Sequence, residues 1–332
     1  MPSTTIPFNP RRRRALAIGA AAFLPAPFAW AQGYPTKPIR LILPNAPGSS
    51  VDNMARQLSV GLGAALGQSI VVENVPGSGG LIGIGQMLRA PRDGYTIGMV
   101  ANNYAIGPSL YRLPYDPARD IVPVSLLVTG PMVLVTHPAL PARTLADFIA
   151  LAKSRPAEKS LSFGSAGVGT VGHLAGELMA TSADVKLLHV PYKGNNNFTT
   201  DLVGGQLDAG FIAAGVAMPL VRQGSLRALA LTTPKRLALM PEVPPMAEAG
   251  LPGFDLGGWQ AMIAPAGIPA PALERLNAEI VRVLKSKEVS RFVEEQGSQV
   301  VASSPAEAGK LIARDIARYA DLSRRLGLKP EN

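Results

Sequence analysis

The 332-residue chain has no cysteine and only three histidines, His137, His173 and His189. Without cysteine, neither a disulfide frame nor a thiolate metal site can form. No histidine has a second one at metal-ligand spacing, so the composition offers no metal centre. Nucleophile motifs are missing as well: Phe163 stands where the first glycine of G-x-S-x-G would have to precede Ser165. Lys and Arg are scattered and form no stripe, which argues against nucleic acid as a partner. Beyond the N-terminal segment no run is long and apolar enough to cross a bilayer.

That segment is the first positive feature. Arg11 to Arg14 form a basic region, Ala15 to Phe28 a short apolar stretch, and Ala29-Trp30-Ala31 before Gln32 an A-x-A cleavage site. Residues 1–31 are therefore expected to be an export signal cleaved after Ala31, with the product in the periplasm of a double-membraned host. Both the general and the twin-arginine routes stay open, because Ala15 stands where the latter prefers a bulky apolar residue. Removing residues 1–31 removes four Arg and no acid, so the formal charge falls from +9 to +5. The remaining chain of about 300 residues, in a sequence 47% hydrophobic, is long enough for two lobes.

The chain then turns to a strand, a small-residue loop and a helix. Ile39 to Leu43 is an apolar run, Pro44 to Ser50 a turn of Pro, Gly and Ser, and Val51, Met54, Ala55 and Leu58 lie on one helical face. Ser49 and Asp52 have capping-box spacing. Such a junction aims free N–H groups and the positive end of a helix dipole at one point, an anion site without a cationic side chain. On this stretch alone an ordinary capped helix after a strand is the favoured reading. Asp52 and Arg56 at i, i+4 read either as a surface pair or as a carboxylate that orders the loop amides.

Further strands are expected at Gln68–Glu73 and Thr96–Val100, with a loop at 76–80 and a helix over Leu81–Leu88. This alternation points to a parallel sheet with helices on its faces. Asn102, Asn103 and Tyr104 fall just past a strand end, where open sheets bind ligands. Met132 to Pro138 leads through Pro141 into a helix near Leu145, and Met262 to Pro265 leads through Pro269 and Pro271 into one near Leu273. A strand ending in Pro that opens a helix, used twice, suggests one half-fold built twice, with crossings near Gly130 and Gly257.

The second half repeats the opening theme: a strand at Ser160–Phe163, a loop at 164–169, and a helix from Thr170 to Met179. Gly167-x-Gly169-x-x-Gly172 matches a dinucleotide fingerprint, but the next strand ends His189-Val190-Pro191-Tyr192-Lys193 without the acid that would hold a ribose. The glycines instead let backbone amides approach a smaller anion. His173, one turn into its helix, suits a satisfied hydrogen bond better than general-base work. Strands follow at Leu187–Val190, Gln206–Ile212 and Leu226–Leu231, and a helix at Asn197–Val203. Pro234–Phe254 reads as a long loop, and helices at 272–284, 287–296 and 305–326 end the chain. Asn195-Asn196-Asn197 after Lys193-Gly194 offers donors and acceptors to a polar ligand, or simply a helix cap.

Together these motifs resemble the Bug-type (Bordetella uptake gene) periplasmic substrate-binding receptors of tripartite tricarboxylate transporters. The resemblance rests on Pro47-Gly48 with Asp52 and Ala55-Arg56, on Glu73-Asn74-Val75-Pro76-Gly77-Ser78-Gly79-Gly80, and on Gly94-Tyr95-Thr96 and Pro108-Ser109-Leu110-Tyr111. It continues through Gly164 to Thr170 with His173-Leu174, then His189 to Gly194, Leu226 to Ala230, and Trp259 with Ala264 to Gly267.

It implies an α/β, two-lobed periplasmic-binding-protein (Venus flytrap, type II) fold with two open, mostly parallel sheets flanked by helices. One lobe would hold residues 32–130 plus about 255–300, the other 131–254, with 301–332 a C-terminal helix packed on the lobes. The implied ligand is a small organic carboxylate, gripped by loops Asn45–Asp52 and Gly164–His173. The implied partners are the membrane subunits of the transporter, with the receptor a monomer and no cofactor or catalysis. The expected ligand-binding set is Ala46, Gly48, Ser49, Ser50, Asp52, Asn103, Ser165, Gly169, Thr170, His173, Asn195 and Asn197. Ser49 departs from the family's second glycine, and Asn195 to Phe198 replace a small, Pro-containing segment. A ligand-presenting sensor for a membrane kinase, or an exported enzyme with His173 as base, are the alternatives.

Overall fold

The computed structural model describes residues 33–192 and 194–327, without the side chains of Asn195 and Asn196. The expected export signal and Lys193 lie outside the described residues. The first run of elements is β1 (Ile39–Leu43), α1 (Ser50–Leu66), β2 (Ile70–Asn74), α2 (Leu81–Leu88), β3 (Thr96–Ala101), α3 (Asn103–Leu110) and β4 (Ile121–Gly130). The second is β5 (Met132–Thr136), α4 (Leu145–Ser154), β6 (Leu161–Ser165), α5 (Val171–Ala183), β7 (Leu187–Pro191), α6 (Asn195–Val203), β8 (Ala209–Ala213), α7 (Ala214–Arg222) and β9 (Arg227–Leu231). After the long segment 232–257 come β10 (Gly258–Pro265), α8 (Ala270–Leu284), α9 (Lys287–Glu295), β11 (Gln299–Val300) and α10 (Pro305–Arg325).

Local chemistry sets these boundaries. Ile39, Leu41, Ile42 and Leu43 are at most 1% exposed, as an apolar run in an inner strand should be. Helix α1 is capped by Ser49 and stops at Gly67 in the left-handed region. Full capping boxes, Thr144 with Asp147 and Ser304 with Glu307, start α4 and α10.

One sheet has the order β11-β4-β10-β3-β1-β2 and the other β7-β6-β8-β5-β9. Set side by side, β2-β1-β3-β10-β4 and β7-β6-β8-β5-β9 are the same half-fold: each has a parallel β-α-β unit at one edge. In each, the strand entered at a crossing (β10 or β5) lies antiparallel between two neighbours. The duplicated strand-Pro-helix motif is thus the structural equivalence of β5-α4 and β10-α8. The two-lobed α/β fold is the expected one, but its sheets are mixed where mostly parallel ones were expected. The reason is the crossings, which bring β5 and β10 in against the direction of their neighbours.

Four elements went unanticipated: α3, β4, α7 and β11. Pro108 and Pro219 lie inside α3 and α7, and Pro123 inside β4, where a register shift accommodates it. Helix α10 packs across α3 and β4. Asn102 links these parts: its Nδ2 donates to Gly257 O at 3.1 Å and to the Tyr319 hydroxyl at 2.8 Å, and its Oδ1 accepts from Trp259 N at 2.7 Å. Trp259 Nε1 donates to Asp315 of α10 at 2.8 Å. The C-terminal helix is thereby tied to the returning crossing.

Candidate ligand site

The β1–α1 loop is built around Asp52, which is 3% exposed. Ser49 Oγ accepts from Asp52 N at 3.2 Å, half of the expected capping box. The reciprocal bond is displaced by one residue: Gly48 N, not Ser49 N, donates to Asp52 Oδ2 at 2.9 Å, because Ser49 N is directed to Ala46 O at 3.3 Å. Asn74 Nδ2 donates to Asp52 Oδ1 and to Asn45 O, both at 3.1 Å, and Arg56 Nε donates to Asp52 Oδ1 at 3.0 Å. Burial pushes the Asp52 carboxyl up. The bonds from Arg56, Gly48 and Asn74, with the Arg56 charge, outweigh burial and leave it below the usual carboxylate range. Asp52 therefore holds the loop, and the Ser50 and Val51 amides keep no intrachain acceptor among the described residues.

Gly48, at φ +75°, has open space where a side chain would begin. Ala46, Gly48 and Ser50 are exposed and Ser49 is half-buried. Asn103 comes to this loop from the end of β3 and donates through Nδ2 to Gly79 O at 3.1 Å. Asn74 and Gly79 are functional candidates that the expected set omits. The register Leu43↔Asn74 sets Asn74 beside the first loop, and that register is a product of the folded sheet.

The β6–α5 loop is held at both ends by imidazoles. Ser165, 1% exposed, has its Oγ 2.7 Å from His189 Nε2 and donates to Gly167 O at 3.0 Å. Thr170 caps α5: its Oγ1 accepts from His173 N at 3.4 Å and donates to Gly167 O at 2.8 Å. Gly169 N donates to His173 Nδ1 at 3.1 Å, which makes His173 the satisfied hydrogen-bonding group expected of it and places its own proton on Nε2. The two imidazoles stack with centroids 4.1 Å apart, and His173 Nε2 lies 3.8 Å from Glu177 Oε1. Burial, and then the neighbouring His189, lower His173 to about 4; burial alone lowers His189. A neutral His173 paired in this way is poorly placed to act as a base.

The amide of Gly169 is therefore committed to His173, and the free donors at this helix start are the Val171 and Gly172 amides, which have no acceptor among the described residues. Gly169 has φ +75°, and a Cβ there would lie 2.1 Å from Leu110 Cδ1. The loop of the second lobe thus closes against the last turn of α3 in the first. Asn197 is exposed in the first turn of α6, and the side chain of Asn195 lies outside the description.

Neither loop contains Lys or Arg, and among the described residues no group of His, Asp and Glu could hold a metal ion. Among the same residues no helix is long and apolar enough to cross a membrane. Two surface hollows lie elsewhere. One of about 470 Å³ runs between α1 and β2 and includes Val60 and Ile70; one of about 700 Å³ lies beside Tyr111, Tyr115 and Asp116. Both open broadly to solvent and neither takes a residue from the two loops, so the loops remain the candidate site.

This arrangement can be set against known proteins. A model of the tripartite tricarboxylate transporter family receptor matches residues 54–328. The chain belongs to that receptor family. BugT of Bordetella pertussis is 37% identical over 313 residues, which are 93% of this chain and 95% of BugT. The solved periplasmic binding protein BugD is 30% identical, with TM-score 0.79, over 90% of this chain and 100% of BugD. An R. palustris protein solved with adipate is 31% identical, with TM-score 0.81, over 90% of this chain and 100% of that one. Two of these relatives are Bug proteins, and the receptor shares the fold of the periplasmic binding protein BugD.

Proposed function

We propose that this receptor is exported to the periplasm, captures a small organic carboxylate between its lobes, and delivers it to the membrane subunits of a tripartite tricarboxylate transporter. The observation that carries the reading is the matched pair of helix starts. Helices α1 and α5 occupy equivalent places in the two half-folds, each is capped by a hydroxyl, and each keeps first-turn amides free. Two such ends facing one ligand hold negative charge by dipoles and N–H groups, so a binding cation is not required. Adipate, bound by the R. palustris relative, is an acid of this class. The receptor acts as a monomer without a cofactor, and its chemistry is capture and release.

Native mass spectrometry of exported protein tests this. The expected result is a chain beginning at Gln32 with a retained organic acid that is recovered unchanged after release. Exported protein still carrying Arg11 to Arg14 would remove the processing step. Turnover of the acid by the purified protein would replace the receptor with an enzyme.

A further inference from the structure

The Asn103 amide leaves one hydrogen-bonding demand unmet. Its Nδ2 donates to Gly79 O at 3.1 Å. A carbonyl only accepts, so this bond fixes which end of the amide is nitrogen and which is oxygen. The oxygen, Oδ1, is buried and has no partner among the described residues. Asn45 Oδ1, in the adjoining loop, is in the same state. Over Gly80, where φ is +105°, a Cβ would lie 3.3 Å from Asn103 Nδ2 and 3.2 Å from Cβ of Pro44, the residue before Asn45. No second bond pins the Asn45 side chain among the described residues, so it can turn to donate or to accept. The Asn103 amide cannot turn without losing Gly79.

A buried acceptor without a donor is unfavourable, and sites that leave one open discriminate strongly for a ligand that fills it. Resting on the carboxylate reading above, we propose that Asn103 Oδ1 accepts a hydrogen bond from the ligand itself. The acid then carries a hydroxyl or ammonium donor on its carbon chain, and the unsubstituted acid of the same length is the poorer ligand.

Titration calorimetry with matched acids tests this: succinate, malate and aspartate; glutarate, 2-hydroxyglutarate and glutamate; propionate, lactate and alanine. In the best-binding set the hydroxy or amino member should bind at least about tenfold tighter than its parent. Asn103→Ala, with folding checked by circular dichroism, should reduce that ratio to within about twofold. If the parent binds as tightly as its substituted partners, a water satisfies Oδ1 and the inference fails while the carboxylate reading stands. If the ratio survives Asn103→Ala, the discrimination belongs to another residue and the inference fails as well. If no acid in any set binds, the carboxylate reading falls and takes the inference with it.

Discussion

Gly130 and Gly258 stand opposite each other in the β4–β10 ladder, where the chain leaves the first lobe and where it returns. The backbone is crowded there: a Cβ on Gly130 would lie 2.7 Å from Ser298 Oγ, and one on Gly257 3.5 Å from Gly130 O. Two adjacent crossings make a short double-stranded hinge, and hinge closure around a ligand is a standard motion of such two-lobed receptors. The absence of native cysteine allows spin labels at Val60→Cys in α1 and Leu188→Cys in β7, whose parent side chains are 75% and 58% exposed. Ligand should shift the distance distribution between these labels and reduce the radius of gyration in solution scattering. Unchanged distances at saturation would exclude hinge closure.

Stability should fall between pH 6.5 and 4 because of His173. Its pKa is lowered from 6.5 to about 4 in the folded chain, by burial first and His189 second, with Glu177 the nearest carboxylate. The neutral form is the folded one, so this stability is fully present above the unfolded value of 6.5. It is lost progressively as pH falls toward 4, where the folded state binds the proton too. The term is of the order of 3 kcal/mol. Urea titrations from pH 7.5 to 4.5 should show it, and His173→Asn, which can keep an acceptor near Gly169 N, should flatten the slope relative to the parent. Parallel slopes for the two proteins would assign the pH dependence to other groups.

Asp52→Ala should weaken ligand binding although it removes a negative charge beside an anion site. The carboxylate takes Gly48 N, Asn74 Nδ2 and Arg56 Nε, and its loss leaves the loop without its common acceptor. Charged hydrogen bonds of this kind are worth roughly 1–3 kcal/mol, or about 5- to 150-fold in affinity. Asp52→Asn, which can still accept from Gly48, should fall between. Calorimetry with the retained acid decides it, and tighter binding by Asp52→Ala would mean that Coulomb repulsion governs the loop.

The fold was legible where patterns are local. Strand runs such as Ile39–Leu43, the caps at Ser49 and Thr170, and the Pro-led helices α8 and α10 follow from neighbours in the chain. The repeated strand-Pro-helix motif also pointed to a duplicated half-fold. Elements holding an internal proline, α3, α7 and β4, were hidden because proline reads as a break until tertiary packing tolerates it. At the site, both loops could be picked out, but partners of high sequence separation could not. Nothing local says that Asn74 meets Asp52 or that Leu110 reaches across to Gly169.

That last contact yields the sharpest expectation. Gly169 lies in the second lobe and Leu110 at the end of α3 in the first, and a Cβ on Gly169 would sit 2.1 Å from Leu110 Cδ1. Leu110 is 6% exposed and has little room to turn away. Gly169→Ala therefore sets two penalties. One is backbone strain at φ +75°, about 1–2 kcal/mol for a residue with a Cβ. The other is an overlap between lobes, which separating them relieves without unfolding either. The variant should keep its circular dichroism, show a larger radius of gyration in scattering, and bind ligand far more weakly. Adding Leu110→Ala to the same chain removes the overlap and leaves the strain, so compactness should return and affinity recover in part. If Leu110→Ala leaves the defect of Gly169→Ala unchanged, the backbone alone requires glycine at this position and the contact between lobes has no part in closure.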